Sequence, residues 1–341
     1  MKVSDVYVAG IGTAQTGRVA TSEAVERGWW DAQERDRSGL LSVSVAGTTP
    51  APDLAIEAAL TALAQSGHAP EQISGVFHTN VHPQGPDGWS AQHYINRHTV
   101  NQPVTSVEIH NGCVGFFSAL QLATCYLTAT PGRTAALLTA ADNFGTPAVN
   151  RWQASRLFVL ADGGGAIVLS RQHGFARILA TSAASDPELE ERHRAGEKLF
   201  PPGLTNGRML NFEERTERFR QEQAAGSAPG LGDFGSLLLD TAEQTLKEAG
   251  VSMGDITKVI HDGFHHDALD VLFFGQLEIL EEQGIWEFTR RVGHAGPLDQ
   301  IRGLEYAWRN HEVEAGDYVL LATDAPGMEA ACAVIQITEA G

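Results

Sequence analysis

The stretch Val104–Leu127, VTSVEIHNGCVGFFSALQLATCYL, decides how the rest of the chain is interpreted. It begins with β-branched residues typical of a strand, turns sharply at Gly112, and continues as a long apolar helix that opens at Cys113. A helix that is apolar on most sides is expected to be buried. The N–H groups and dipole at a helix start favour a thiolate, so the pattern predicts a lowered pKa for Cys113 and a nucleophilic role. The alternative is a buried small hydrophobic residue, an interpretation that fits Cys125 and Cys332.

The bulk composition excludes several classes of protein. The chain has 341 residues, of which 43% are hydrophobic, and a formal net charge of −18. Nucleic acid is an unexpected partner, because its binding depends on neutralising phosphates. Three cysteines without a CxxC pair argue against a disulfide framework and against a zinc site. The start of the chain, Val3–Gly10, is typical of a strand rather than a signal peptide, and no apolar run has membrane-spanning length, so we expect a cytoplasmic protein.

The second half of the chain repeats the first with an offset of 183 residues. The offset pairs apolar, glycine and histidine positions across a helix and two strands: Leu54 with Leu237, Leu63 with Leu246, Gly67 with Gly250, Ile73 with Ile256, His78 with His261, and Leu137 with Leu320. This pattern predicts two similar α/β halves whose strand ends meet at one site. The counterpart of Cys113 falls near position 296, beside His294.

The predicted domain organisation follows from this repeat. Residues 1–171 form the half that carries Cys113, and residues 236–341 form the half that carries the candidate histidines. Residues 172–235 form a polar insertion with one predicted helix, Phe212–Gln223. We expect the insertion to cap the site, and a solvated surface excursion is the alternative.

Two histidine-bearing turns lie at equivalent ends of the two repeats and are candidates for assisting Cys113. One is IHDGFHHDAL, with His265 flanked by other histidines, and the other is the glycine-flanked His294. A carboxylate that orients the histidine would complete a nucleophile–base–orienter triad. Asp324, at the end of an apolar strand, is the first candidate for that carboxylate, and Asp299 is the second.

These residues resemble the motifs of the thiolase-fold condensing enzymes, closest to the ketoacyl-ACP synthase III group. The resemblance runs nearly end to end and implies a homodimeric, five-layered αβαβα fold. Five motifs carry it in the family's order: NGCVGFFSAL (Asn111–Leu120), FVLADGGGAIVLS (Phe158–Ser170), FHHDAL (Phe264–Leu269), VGHAG (Val292–Gly296) and GDYVLLATDAPGM (Gly316–Met328). The resemblance puts His265 at the family's catalytic histidine, with His261 and His266 as competitors, and pairs the amides of Cys113 and Gly327 in the oxyanion hole.

The chain departs from the family at His294, where the synthase III group usually has asparagine. A histidine can take a proton from an acceptor alcohol, amine or thiol, which asparagine cannot do. The resemblance is therefore to the acyltransferase branch of natural-product pathways, with an acyl group passing through Cys113 from a carrier-protein or CoA thioester. Decarboxylative condensation is one alternative, and a non-catalytic partner subunit of a synthase heterodimer is another.

The remaining expectations concern ligands. No metal and no redox cofactor is implied. The candidate substrate-binding residues are aromatic or basic: Trp30, Phe116, Phe117, Arg215 and Arg218. Trp30 would stack on a CoA adenine or else belong to the core, and the arginines would meet an acidic carrier protein or else form a solvated helix face.

Overall fold

The computed structural model describes residues 1–145, 149–201, 209–228, 234–325 and 328–341, and these ranges contain both strands and helices. The strands are β1 (Tyr7–Thr13), β2 (Gly17–Ala20), β3 (Ser42–Val45), β4 (Ile73–Thr79), β5 (Thr105–Ile109), β6 (Ala135–Asp142), β7 (Gly163–Ser170), β8 (Ala176–Ser185), β9 (Ile256–Ile260), β10 (Tyr318–Ala325) and β11 (Glu329–Ile337). The helices are α1 (Thr21–Glu26), α2 (Ala32–Ser38), α3 (Ala51–Ser66), α4 (Ala91–His98), α5 (Gly115–Thr128), α6 (Glu191–Arg194), α7 (Phe212–Ala224), α8 (Phe234–Ala249), α9 (His266–Leu269), α10 (Gly275–Leu277), α11 (Trp286–Thr289) and α12 (Leu298–Arg309).

Nine of these strands form one sheet with a mirrored strand order. The order is β5-β4-β6-β7-β1-β8-β11-β10-β9, while β2 and β3 pair separately. From one side the strands read β4-β6-β7-β1, and from the other they read β9-β10-β11-β8. The two halves join where Tyr7 and Val8 of β1 pair with Arg177 and Ala176 of β8. The sheet therefore consists of two similar halves, as the internal repeat predicts.

The helices form layers around the two half-sheets. Helix α3 packs on β1, β6 and β7, and α8 packs on β8 and β11. The apolar helix α5 contacts β4 and β6 of its own half and also β8 and β11 of the other half, and α12 contacts β9 as well as β1 and β7. Helices α5 and α12 thus lie between the half-sheets, with α3 and α8 outside them. The predicted five-layered αβαβα thiolase-type fold is confirmed.

The offset of 183 residues is reproduced by the elements themselves. It carries Ala51–Ser66 onto Phe234–Ala249 and Ala135–Asp142 onto Tyr318–Ala325 with identical bounds. The start of α5 maps onto the start of α12 by the same offset. Cys113 and the segment around His294 therefore occupy equivalent places at the starts of the two central helices.

The insertion begins later than the sequence-based boundary at residue 172. Ala176–Ser185 is a strand of the central sheet that pairs with β11 along its whole length, from Glu329↔Ser185 to Ile337↔Ala176. Its small and polar side chains give it no apolar run, which is why the pattern reads as insertion. The excursion proper starts at Asp186, and its predicted helix is confirmed as Phe212–Ala224.

Close packing of helices on both faces of β7 explains its glycine run. A Cβ at Gly164 would lie 2.4 Å from the carbonyl carbon of Leu54 in α3, and one at Gly165 would lie 2.4 Å from Leu298 in α12. Only glycine permits such an approach. The run therefore lets α12 sit close enough to the sheet to present its N-terminal turn to the site.

Among the described helices, none is long and apolar enough to cross a bilayer.

Candidate active site

Cys113 lies in a tight turn at the start of the central helix α5. Gly112–Val114 form one 3-10 turn before Gly115, and Gly112 has a φ of +52°, a left-handed conformation that favours glycine. Cys113 is only 7% exposed. Its thiol nevertheless opens into a pocket, so the predicted elbow at the start of a buried helix is present.

His294 faces the Cys113 thiol directly. Nε2 of His294 lies 3.1 Å from Sγ of Cys113. The backbone of His294 is fixed between two residues of the segment before β7, because its N–H donates to the Val159 carbonyl at 3.0 Å and its carbonyl accepts from the Ala161 N–H at 2.7 Å. The imidazole is fully buried. The two repeats thus bring their equivalent residues to hydrogen-bonding distance.

Asp299 orients His294 from the other side of the ring. Nδ1 of His294 donates to Oδ2 of Asp299 at 2.6 Å, which leaves the lone pair of Nε2 for the thiol proton. The carboxylate also accepts from the N–H groups of Gly263 (2.7 Å) and Ala295 (2.9 Å) and from Nη2 of Arg302 (2.5 Å). Burial tends to raise the pKa of Asp299, but the charges of Arg302 and His294 outweigh burial and lower it to about 2. Asp299 is therefore an anion held by four donors.

The prediction that Asp324 orients His294 is wrong, because Asp299 occupies Nδ1. Asp324 lies instead in the wall of the pocket that Cys113 shares. Burial raises the pKa of Asp324 to about 6, although the charges of Arg192 and His294 act against that rise. Asp324 is thus a second carboxyl near the thiol, without the hydrogen bond that would make it the orienting residue.

The direction predicted for the pKa of Cys113 is also reversed. Burial raises it well above the usual range, and the carboxyls of Asp262, Asp299 and Asp324 raise it further. Asp262 accepts from the hydroxyl of Thr323 at 2.6 Å, and its own pKa is raised by burial and by the neighbouring carboxyls. The resting cysteine is therefore a thiol, and its activation depends on proton transfer to His294 rather than on a preformed thiolate.

The pocket at Cys113 combines aromatic walls with a few polar groups. Phe158 and Phe264 stack with ring centroids 5.5 Å apart, and both rings contact the imidazole of His294. The lining residues come from six parts of the chain: Cys113, Ser155, Leu157, Phe158, Arg192, His193, Phe212, Thr216, Phe264, Leu272, Asp324, Ala325 and Met328. The arrangement suits a largely apolar acyl group presented to the thiol.

The turn after β9 contributes Phe264 to this pocket and places His265 elsewhere. The ring of His265 lies against Trp30, with centroids 5.9 Å apart, and its backbone N–H donates to the Leu157 carbonyl. His261 uses both ring nitrogens inside the fold, and His266 pairs with Glu281 at the surface. The part of the chain that the structure describes thus gives none of the three histidines a hydrogen bond to Cys113.

The predicted substrate-binding side chains also lie outside the pocket. Trp30 packs on Trp152 at 5.6 Å and belongs to the core, as do Phe116 and Phe117. Arg215 pairs with Glu197 and Arg218 pairs with Glu222 on the surface of the insertion. Gly327, the predicted second oxyanion donor, lies outside the described residues.

The insertion supplies pocket residues that the sequence pattern did not identify. Arg192 and His193 come from α6, and Phe212 and Thr216 come from one face of α7. Burial and the charges of Arg192 and Arg215 lower the pKa of His193 to about 3, so this second imidazole is neutral. The spacing of Phe212 and Thr216, one helical turn apart, was the available signal for a pocket-facing side of α7.

Three buried side chains of the site have the composition of a metal-ligand group. Donor atoms of Asp262, His294 and Asp299 lie within 4.8 Å of one another. Arg302 already places a positive charge on Asp299, so the anion at the centre of the group is balanced by a guanidinium.

Replacing Asp299 by asparagine should damage the site far more than the same change at Asp324. Asp299→Asn removes the charge that fixes the His294 tautomer and stabilises its imidazolium, so acyl transfer is expected to fall on the order of 10³-fold. Asp324→Asn removes a carboxyl that ionises as the pH rises through about 6 and then disfavours the Cys113 thiolate. We therefore expect this control variant to retain transfer and to react faster with iodoacetamide above that pH. The reverse ranking of the two variants would restore Asp324 as the orienting residue.

Comparisons with known proteins identify the family and the fold of the chain. The family models described as 3-oxoacyl-[acyl-carrier-protein] synthase III and its C-terminal domain match residues 107–187 and 246–337. A solved structure named ChlB3 and described as an acyltransferase is 38% identical, with a TM-score of 0.93 and 99% of each chain covered. No curated protein sequence matches.

Two solved 3-oxoacyl synthase III structures share the fold at lower identity. The protein from Aquifex aeolicus VF5 is 20% identical with a TM-score of 0.77, and 97% of this chain and 99% of that chain are covered. The protein from Pseudomonas aeruginosa PAO1 is 18% identical with a TM-score of 0.78, and 98% and 99% are covered. The chain belongs to the 3-oxoacyl-[acyl-carrier-protein] synthase III family, and it is an enzyme of the transferase class.

Proposed function

We propose that this enzyme transfers an acyl group from a carrier-protein or CoA thioester, through an acyl-cysteine at Cys113, to an alcohol, amine or carrier thiol. The observation that carries the proposal is the continuous chain Cys113–His294–Asp299, with distances of 3.1 and 2.6 Å. A thiol, a base with a free lone pair and a buried anion in this order are what a nucleophilic acyl transfer needs.

The first half-reaction forms the acyl-enzyme. As Sγ of Cys113 attacks the thioester carbonyl, its proton passes to Nε2 of His294, and Asp299 stabilises the resulting imidazolium. The carbon–sulfur bond to the donor then breaks, and the donor thiolate takes the proton from His294. We propose that the amides of Cys113 and Gly327 donate to the oxyanion of the tetrahedral intermediate.

The second half-reaction uses the same base in the other direction. His294 takes the proton of the acceptor O–H, N–H or S–H while that atom attacks the acyl carbon. The bond to Sγ breaks, and the imidazolium returns its proton to Cys113. The raised pKa of the Cys113 thiol supports this coupled route. Because the thiolate is poorly stabilised, the thiol needs His294 to remove its proton, and the thiolate that leaves in the second half-reaction readily takes the proton back.

Transfer is favoured over decarboxylative condensation by the hydrogen bonds of His294. Condensation through an enolate requires hydrogen-bond donors at the thioester carbonyl and develops a negative charge there. His294 already accepts from Cys113, and carboxyls of Asp262, Asp299 and Asp324 surround the same thiol. With Nδ1 donating to Asp299 and Nε2 accepting from the thiol, His294 has no ring N–H left to donate to a thioester carbonyl, so it is set up as a base.

The pathway and compartment are proposed from the same resemblance. The likeness to ChlB3, described as an acyltransferase, supports acyl transfer. The resemblance of the sequence motifs to the acyltransferase branch of the condensing enzymes supports a step in natural-product biosynthesis of the polyketide type, in the cytoplasm where acyl thioesters are made. The proposed chemistry needs no metal and no redox cofactor, since every proton and electron pair stays within thioester, cysteine and histidine.

We also propose a homodimer joined along β5. Thr105–Ile109 is an edge strand of the nine-stranded sheet, and all of its residues except Thr105 are half-buried in the single chain. An open edge of this kind is suited to pairing with a second copy. Light scattering should give twice the chain mass of 36.5 kDa, and a single-chain mass would contradict the dimer.

Intact-mass spectrometry with a panel of CoA and carrier-protein thioesters tests the proposed function. An acyl adduct mapped to Cys113 identifies the donor, and its loss upon addition of a nucleophilic acceptor shows transfer. A malonyl donor separates the mechanisms, because transfer retains the carboxyl group whereas condensation releases CO2. Folded protein that takes no acyl group from any donor would contradict the proposal and favour the non-catalytic partner subunit.

A further inference from the structure

Asp299 and Arg302 form an ion pair that is buried beneath the Cys113–His294 pair. Both residues lie in the N-terminal part of α12, three positions apart and therefore on one face of the helix. Asp299 is fully buried and Arg302 is 7% exposed. Solvent does not screen an ion pair at this depth, so removal of either charge leaves the other buried and uncompensated.

The guanidinium also contacts the other end of the segment that carries His294. Nη2 of Arg302 donates both to Oδ1 of Asp299 and to the carbonyl of Gly293. Gly293 directly precedes His294, and Asp299 accepts the hydrogen bond of the His294 ring. One nitrogen therefore ties the backbone before the histidine to the carboxylate that orients its ring.

The electrostatic balance requires this cation. Arg302 faces the charges of Asp299, Arg18 and Asp262, and Asp299 faces His294, Arg302 and the Asp262 carboxyl. Burial and Arg18 lower the pKa of Arg302, and Asp299 raises it, yet a guanidinium remains charged across the working range of a protein. Without it, burial and Asp262 would drive Asp299 towards its neutral acid.

We propose that Arg302 is the positioning residue of the transfer site: it holds Asp299 as an anion and fixes the His294 segment, so that Nε2 stays aimed at Cys113. This role rests on the proposed acyl transfer through Cys113. Arg302 does not line the Cys113 pocket, so it acts through Asp299 and His294 rather than on the substrate.

The experiment compares Arg302→Met, Arg302→Lys, Asp299→Asn and the double variant Asp299→Asn/Arg302→Met. We expect Arg302→Met to slow transfer about 10- to 100-fold with little change in KM, and Arg302→Lys to recover part of the loss. Arg309→Met is the matched control, because Arg309 lies on the same helix and pairs with Glu305 at the surface. The control should retain the wild-type rate.

A second readout does not depend on any acyl donor. The rate at which iodoacetamide alkylates Cys113 is measured against pH, and Arg302→Met should shift this profile towards higher pH. The double variant should be no slower than Asp299→Asn alone, because Arg302 acts through Asp299. The double variant also leaves no unpaired buried charge, so it serves as a control for misfolding of the single variants. The proposal is overturned if Arg302→Met keeps the wild-type profile, or if its effect multiplies that of Asp299→Asn. A wild-type enzyme that alkylates normally but accepts no acyl group would instead contradict the transfer function alone.

Discussion

Cys113→Ala is expected to abolish formation of the acyl-enzyme and to lower acyl transfer by about 10⁴-fold or more. The reason is that Sγ of Cys113, which lies 3.1 Å from Nε2 of His294, is the atom on which the acyl group is carried between the two proposed half-reactions. The measurement is the intact mass after mixing with the donor that labels the wild-type enzyme, together with the steady-state transfer rate.

The chain offers a matched control for this experiment. Cys125 lies on the same helix, is exposed and has no part in the proposed mechanism, so Cys125→Ala should acylate and transfer as the wild type does. Cys113→Ser keeps nearly the same side-chain size and changes only the attacking atom. Because a hydroxyl beside the same base is a weaker nucleophile, this variant should form an acyl ester slowly. Retention of the adduct in Cys113→Ala, or its loss in Cys125→Ala, would move the acylation site to Cys125 and refute the mechanism.

The apolar periodicity and the internal repeat predicted the fold because helices and strands that are buried along their whole length leave a regular apolar pattern in the sequence. Leu54 and Leu237 occupy corresponding places in α3 and α8, and the offset also carries β6 onto β10 without any change of bounds. Since the two halves are equivalent, the start of α5 and the start of α12 must meet between the half-sheets. The proximity of Cys113 and His294 therefore follows from the sequence alone.

The sequence did not predict which aspartate orients His294, because that depends on the direction in which each carboxylate points and not on its position along the chain. Asp324 and Asp299 both lie near His294, but only Asp299 sits in the first turn of α12, where the backbone N–H of Ala295 turns its carboxylate back towards the ring. An acidic residue in a first helical turn directly after a glycine-flanked histidine was the available signal. The end of an apolar strand, where Asp324 lies, was the signal that the sequence analysis ranked first.

The pKa of Cys113 shows a second limit of local patterns. A helix start favours the thiolate by a local interaction, whereas burial and the three carboxyls act through residues far away in sequence. Their sum reverses the local effect. His265 illustrates the same point, since the turn after β9 directs Phe264 into the pocket and His265 towards Trp30.

His294→Asn is expected to lower acyl transfer by about 10³- to 10⁴-fold, the larger part of what a positioned general base contributes. An asparagine amide can hydrogen bond to the thiol and to Asp299, but it cannot hold the proton that Cys113 must release. Because burial and neighbouring carboxyls raise the pKa of this thiol, little thiolate forms without the base. Alkylation of Cys113 by iodoacetamide should therefore become slow at neutral pH and recover only in strongly alkaline solution.

His193→Asn is the control that distinguishes this role from a general need for imidazole in the pocket. His193 lines the same pocket, and its ring lies 6.0 Å from that of Phe212. Its loss should alter KM more than kcat and leave the alkylation profile unchanged. If His294→Asn keeps the wild-type transfer rate, the general base is not His294; if it gains CO2 release from a malonyl thioester, the same pocket supports condensation once its base is removed. The residue at position 294 would then decide the reaction. An imidazole that accepts the proton of the acceptor favours transfer from the acyl-cysteine, whereas an amide that only donates hydrogen bonds can stabilise the thioester carbonyl as an enolate.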